Sequence, residues 1–99
     1  MGELQEILEQ AVRGYAGKGL NGVSYFVQSD DKIVMSVLAV AKARDAHIAD
    51  ASIIARLAGD CIIVEQDKTN KPLVDALVQA GVPRAKIILA YAGETLETA

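Results

Sequence analysis

His47 is the single histidine of the chain, and Asp45 and Asp50 flank it. An imidazole beside a carboxylate is the smallest arrangement that can move protons near neutral pH, and on a helix residues 47 and 50 would share a face. Any triad, metal-binding histidine pair or proton relay would have to be built around this one residue. A zinc site needs four suitable ligands, and one cysteine, one histidine and scattered carboxylates do not compose one. Cys61 opens an apolar run and reads as a small buried hydrophobe rather than a nucleophile. As the sole cysteine it excludes an intrachain disulfide and fits a reducing compartment. Ser24, Ser29, Ser36 and Ser52 stand in no nucleophile motif. Gly14, Gly17, Gly19 and Gly22 have the composition of a phosphate cradle but the wrong order. Such a loop leaves a strand and opens a helix, whereas this one leaves a helix and opens a strand. The inventory predicts no catalytic residue, no metal and no cofactor.

Carboxylates are plentiful and mostly have structural work to do. Asp30 and Asp31 fall in a turn, and Glu65 and Asp67 open the richest polar cluster, Glu65 to Asn70, between a strand and a helix. These four are the candidate partner-binding residues. The chain carries 10 Lys and Arg against 13 Asp and Glu, a formal net charge of -3. Nucleic-acid affinity rests on neutralising phosphates with a basic face, and cations scattered singly, with loose pairs only at Lys42/Arg44 and Arg84/Lys86, form none. Direct nucleic-acid binding is therefore not expected.

The elements that must position these groups are legible. Leu4, Ile7, Leu8, Ala11, Val12 and Tyr15 form a helical stripe, with acidic residues toward its start and Arg13 toward its end. Val23–Gln28 and Lys32–Val40 read as strands of an antiparallel hairpin across Ser29-Asp30-Asp31. In the second, Ile33, Met35, Val37 and Ala39 face one way and Val34, Ser36, Leu38 and Val40 the other. Both sides are largely apolar, which places this strand centrally, with helices on one face and a partner expected on the other. Asp45–Leu57 fits a helical register through Ile48, Ser52 and Ala55 and through Ala51 and Ile54, and an alternating one through Ile53, Ala55 and Leu57. A single domain spanning residues 1–99 is expected, without linker or repeat, and with a polar tail from Gly93 to Ala99. Hydrophobic residues make up 52% of it, more than so short a chain readily encloses, so self-association or a permanent partner is expected. Neither a leader peptide nor a spanning segment is read, which makes the cytoplasm the expected location and excludes the membrane.

Cys61 to Tyr91 specifies three elements with both junctions. Cys61-Ile62-Ile63-Val64 is a strand. Asn70 is the expected cap and Pro72 the first turn of a helix over 71–80 that buries Leu73, Val74, Leu77 and Val78. Gly81 and Pro83 end it, and Ile87-Ile88-Leu89-Ala90-Tyr91 starts another strand. This order, acidic polar turn, helix, Ala80-Gly81-Val82-Pro83, basic spacer and apolar strand, resembles the C-terminal half of the XisI-like family, the excision controlling factors of cyanobacterial DNA elements. The chain departs from that family in having no tryptophan, with Ile63 standing where one is expected. The resemblance implies an α+β fold: an N-terminal helix, a largely antiparallel sheet of about four or five strands, and the helix near 71–80. It also implies that Asp45–Leu57 is a strand paired with Ile62–Glu65. Functionally it implies a non-enzymatic accessory or regulatory protein that acts through a protein partner, the family's companion XisH, which resembles nuclease-like folds. The alternatives are an excisionase-like factor that binds DNA directly and a small enzyme centred on His47 with Asp50.

Overall fold

The structure, a computed structural model, describes residues 3–19 and 22–95. The tail expected from Gly93 is described only as far as Thr95; its remainder, like the opening Met1-Gly2, lies outside the described residues. The elements run α1 (Glu3–Arg13), β1 (Gly17–Lys18), β2 (Gly22–Gln28), β3 (Val34–Ala43), β4 (Ala46–Ala58), β5 (Cys61–Asp67), α2 (Leu73–Gln79) and β6 (Ile87–Leu89), with short 3₁₀ turns over Arg84–Lys86 and Ala90–Ala92. The strands form one sheet in sequence order, β1 to β6. Neighbours are antiparallel except β5 and β6, which run parallel because α2 carries the chain back. The sheet has six strands rather than four or five. The two residues of β1 sit in the glycine-rich stretch, too short a pairing to leave an alternating pattern.

Both helices cover the same face of the sheet. The α1 stripe buries Leu8 and Val12, α2 buries Leu73 and Leu77, and they close over Met35 and Val37 of β3, Ile53 and Ala55 of β4, and Ile62 and Val64 of β5. The outer end of α1 is held to β2 by the Arg13 guanidinium, 4.2 Å from the centre of the Phe26 ring. Gly81 ends α2 in the left-handed region at φ +105°, and the Val82 N–H turns back to the Leu77 carbonyl at 3.0 Å.

The helix begins two residues later than the sequence indicates, and Asn70 does not cap it. Pro72 precedes it without a side-chain cap. The cap comes from β5, where Asp67 Oδ2 accepts the Leu73 N–H at 2.6 Å.

Segment 45–57 is a strand, as the family resemblance implies. From Ala46 it is paired to β3 as far as Arg56, with Ser52 the one residue bulged out of register, and to β5 over Ile53–Ala58. The first part of this strand and the end of β3 run beyond the helices as an arm that β2 flanks as far as Ala41 and that is two-stranded only at its tip, and every residue from Arg44 to Asp50 is exposed. The molecule is elongated, 49 × 27 × 25 Å.

Tyr15, at the end of the α1 stripe, ties the helix to the α2 connection by donating its hydroxyl hydrogen bond to the Lys71 carbonyl. Burial, with Asp67 and Asp75 nearby, raises its phenol above the ordinary 10.0. Folding therefore favours the protonated form, and this contribution is complete below pH ~10 and lost as pH rises through the folded value. Tyr15→Phe is expected to cost about 1 kcal/mol at neutral pH. In urea unfolding curves from pH 8 to 11, the variant should lose stability less steeply than the parent at the alkaline end.

Candidate protein interface

The groups with the best claim to chemistry do not converge. His47 lies in the exposed arm, opposite Lys42 on β3. Because the segment is a strand, residues 47 and 50 point to opposite faces, and the shared face a helix would have given them does not exist. Asp50 is instead paired with Lys68, whose ammonium lowers its pKa. Among the described residues, no group of three His, Cys, Asp or Glu side chains is placed to hold a metal ion.

The four acidic residues singled out in the sequence are also separated. Asp30 and Asp31 cap the hairpin between β2 and β3, where Asp31 accepts hydrogen bonds from the Ser29 hydroxyl at 2.6 Å and the Ile33 N–H at 3.1 Å. Those two donors hold its carboxyl below the usual range. Glu65 sits farther along the sheet, paired with Arg56 across β4 and β5 at 2.6 Å. Asp67 turns inward, its carboxylate taken by the Thr69 N–H, the Thr69 hydroxyl and the Leu73 N–H. Only Glu65 borders the surface described next.

That surface is the sheet face opposite the helices. Strand register lays its side chains out in rows: Val23, Val40 and Ala49; Tyr25, Leu38 and Ala51; Val27, Ser36 and Ile54; Val34, Arg56, Ile63 and Ile88. At the β5–β6 end Ile63 and Ile88 are buried, but over β2 and β3 the apolar groups stand open, Tyr25 53% exposed, Leu38 and Val34 40% and Val27 38%. The serines among them add little polarity. Ser36 donates to the Ile53 carbonyl at 2.8 Å and Ser52 to the Val37 carbonyl at 3.3 Å, so both hydroxyls are satisfied within the sheet. An antiparallel sheet that meets water on one side ordinarily alternates apolar-in with polar-out. This one is apolar on both sides, with the Arg56–Glu65 pair the main charge on its open side. The two-sided apolarity of Ile33–Val40 signals this face in the sequence. Tyr25 and Ile54 were not legible as members of it, since placing them requires the register of two further strands.

Comparison with known proteins places this architecture. The sequence matches the family described as XisI protein over residues 3–98. The fold is similar to the crystal structure of a XisI-like protein from Anabaena variabilis ATCC 29413, with a TM-score of 0.74 at 20% identity, covering 86% of this chain and 81% of that one. It is also similar to the fdxN element excision controlling factor XisI from the same organism, with a TM-score of 0.67 at 16% identity, covering 88% of each chain. No curated protein matches.

Proposed function

The chain belongs to the XisI family, and from that premise we propose that it is a non-enzymatic accessory factor in the control of DNA-element excision, working by contact with a protein partner of the XisH kind. The observation that carries this reading is the open apolar face of β2, β3 and β4, in a molecule whose His, Cys and carboxylate groups are dispersed. An apolar surface of this kind gains free energy only when another surface excludes water from it. The family supplies the setting, since a solved relative of the same fold is an excision controlling factor. In this reading the acidic balance of the chain favours a basic, nucleic-acid-acting partner by speeding encounter, with Glu65 at the margin of the face and Asp30 and Asp31 at one end of the sheet contributing to that field. The complex would form in the cytoplasm; no described helix is long and apolar enough to cross a membrane.

The test is co-expression with the product of the adjacent gene. A stable complex that survives purification is the expected result, and a chain that purifies without that product under every condition refutes the reading. Direct DNA binding is the competing reading, favoured by one feature: the arm carries Lys42 and Arg44 near its tip, and a two-stranded ribbon fits the major groove. It predicts a duplex shift that falls steeply with salt. With Asp45 beside Arg44 and no basic face behind the arm, no such shift is expected from the chain alone.

A further inference from the structure

We propose that the arm of β3 and β4 pairs edge to edge with the same arm of a second copy of this chain, extending the sheet across a two-fold axis at Ile48. Ala43 and Ala46 flank a two-residue turn and therefore exchange hydrogen bonds with each other. Alternation from that pair directs the backbone N–H and C=O of Ile48 toward β3 and those of His47 and Ala49 outward. Where the arm leaves the body the outward groups are already satisfied, since the Ala51 N–H donates to Asp50 Oδ1 at 2.8 Å and its carbonyl accepts from the Gln66 amide. Among the described residues nothing pairs with the outward groups of His47 and Ala49. The open stretch Ala46–Asp50 also lacks the lysine, proline or bulge with which exposed strand edges are usually protected.

The edge is complementary to itself. An antiparallel copy centred on Ile48 sets His47 of each chain opposite Ala49 of the other, and each of these two pairs exchanges both of its backbone hydrogen bonds. Ile48, 49% exposed in the single chain, meets its own counterpart on the axis. The surface area points the same way. A compact monomer of 10.5 kDa exposes about 5,400 Å². This chain exposes 6390 Å². The excess of about 1,000 Å² is of the size that each partner in a standard interface buries, about 800 Å². Because the edge is distinct from the Tyr25–Leu38 face, the dimer does not depend on the partner proposed above.

Sedimentation of the full chain from low micromolar to near-millimolar concentration tests the pairing. The parent should show a concentration-dependent monomer–dimer equilibrium. Ala49→Pro should remain monomeric throughout, with the thermal midpoint the parent shows at its lowest, monomeric concentrations, since the N–H it removes has no partner within one chain. Should proline disturb the arm, Ile48→Cys in a Cys61→Ser background gives an independent reading. Directly opposed residues of a non-hydrogen-bonded pair have Cα atoms ~4.5 Å apart, within disulfide range, so mild oxidation should yield a cross-linked dimer. A parent that is monomeric at every concentration, an Ala49→Pro variant that dimerises as readily as the parent, or an Ile48→Cys chain that gives no cross-linked dimer overturns the proposal.

Discussion

Substituting Leu38 with aspartate is expected to weaken capture of the protein partner about a hundredfold or more while leaving the fold intact. Leu38 lies in the row between Tyr25 and Ala51, in the middle of the open face and on the strand that runs third of six through the sheet. It is 40% exposed, so its outer half awaits a contact. If a partner covers this row, the substitution removes a central aliphatic contact and forces a carboxylate out of water, and losses at such central positions reach about 3 kcal/mol, about a hundredfold in affinity. In the isolated chain the aspartate keeps its water, and the cost is limited to strand propensity, about 1 kcal/mol. Pull-down titration of the co-expressed product, together with the thermal midpoint of the free chain, separates the two effects. Equal loss of both would show that Leu38 serves the fold rather than contact. An unchanged affinity would move the interface elsewhere. Glu65→Gln on the same background is expected to change chiefly the association rate and its salt dependence, the behaviour of a marginal charge.

How far the chain could be read in advance depended on whether its alternation was interrupted. The stripe from Leu4 to Tyr15 and the pattern from Ile33 to Val40 obey a single period, and their faces are those the spacing indicates, with Leu8 and Val12 buried in the helix and Met35 and Val37 in the strand. Asp45–Leu57 reads two ways because its pairing slips between Val37 and Leu38, leaving Ser52 as an extra residue. On the open side of the sheet the residues therefore run 49, 51, 54, 56, and the single step of three, from Ala51 to Ile54, imitates a helical spacing. A bulge is fixed by the partner strand, so nothing in the segment itself declares it. The arm was hidden for a related reason. Its alanines are the best helix formers, and their propensity yields here to ladder pairing with β3 over ten residue pairs.

A second slip, between Ile54 and Ala55, changes what Asp67 does, and removing that carboxylate should give the largest loss of stability among the polar substitutions considered. Uninterrupted alternation from Ile62 and Val64 would send Asp67 to the open face beside Glu65, where the polar cluster made it a candidate for partner contact. The extra residue at Glu65 reverses the parity, so Asp67 stands opposite Ile53 on the helix side. There its Oδ1 accepts the Thr69 N–H at 2.9 Å and the Thr69 hydroxyl at 2.6 Å, while Oδ2 accepts the N–H of Leu73, a residue with a wholly buried side chain. One carboxylate thus fixes the turn after β5 and caps α2, the helix that closes the core over β5. Hydrogen bonds to a charged acceptor contribute more than neutral ones, and donors left without partners add their own cost, so Asp67→Ala is expected to lose about 3 kcal/mol. Asp67→Asn keeps an acceptor for one side of the junction and should lose about half as much. Urea unfolding of the three chains should rank them parent, Asn, Ala, with m-values unchanged. A dimeric parent would make the midpoints depend on concentration, so the ranking is best made on the Ala49→Pro background, where that linkage is removed. If Asp67→Ala were as stable as the parent yet failed to bind the partner, the carboxylate would belong to the contact surface after all, and the inward parity that the bulge gives it would be wrong.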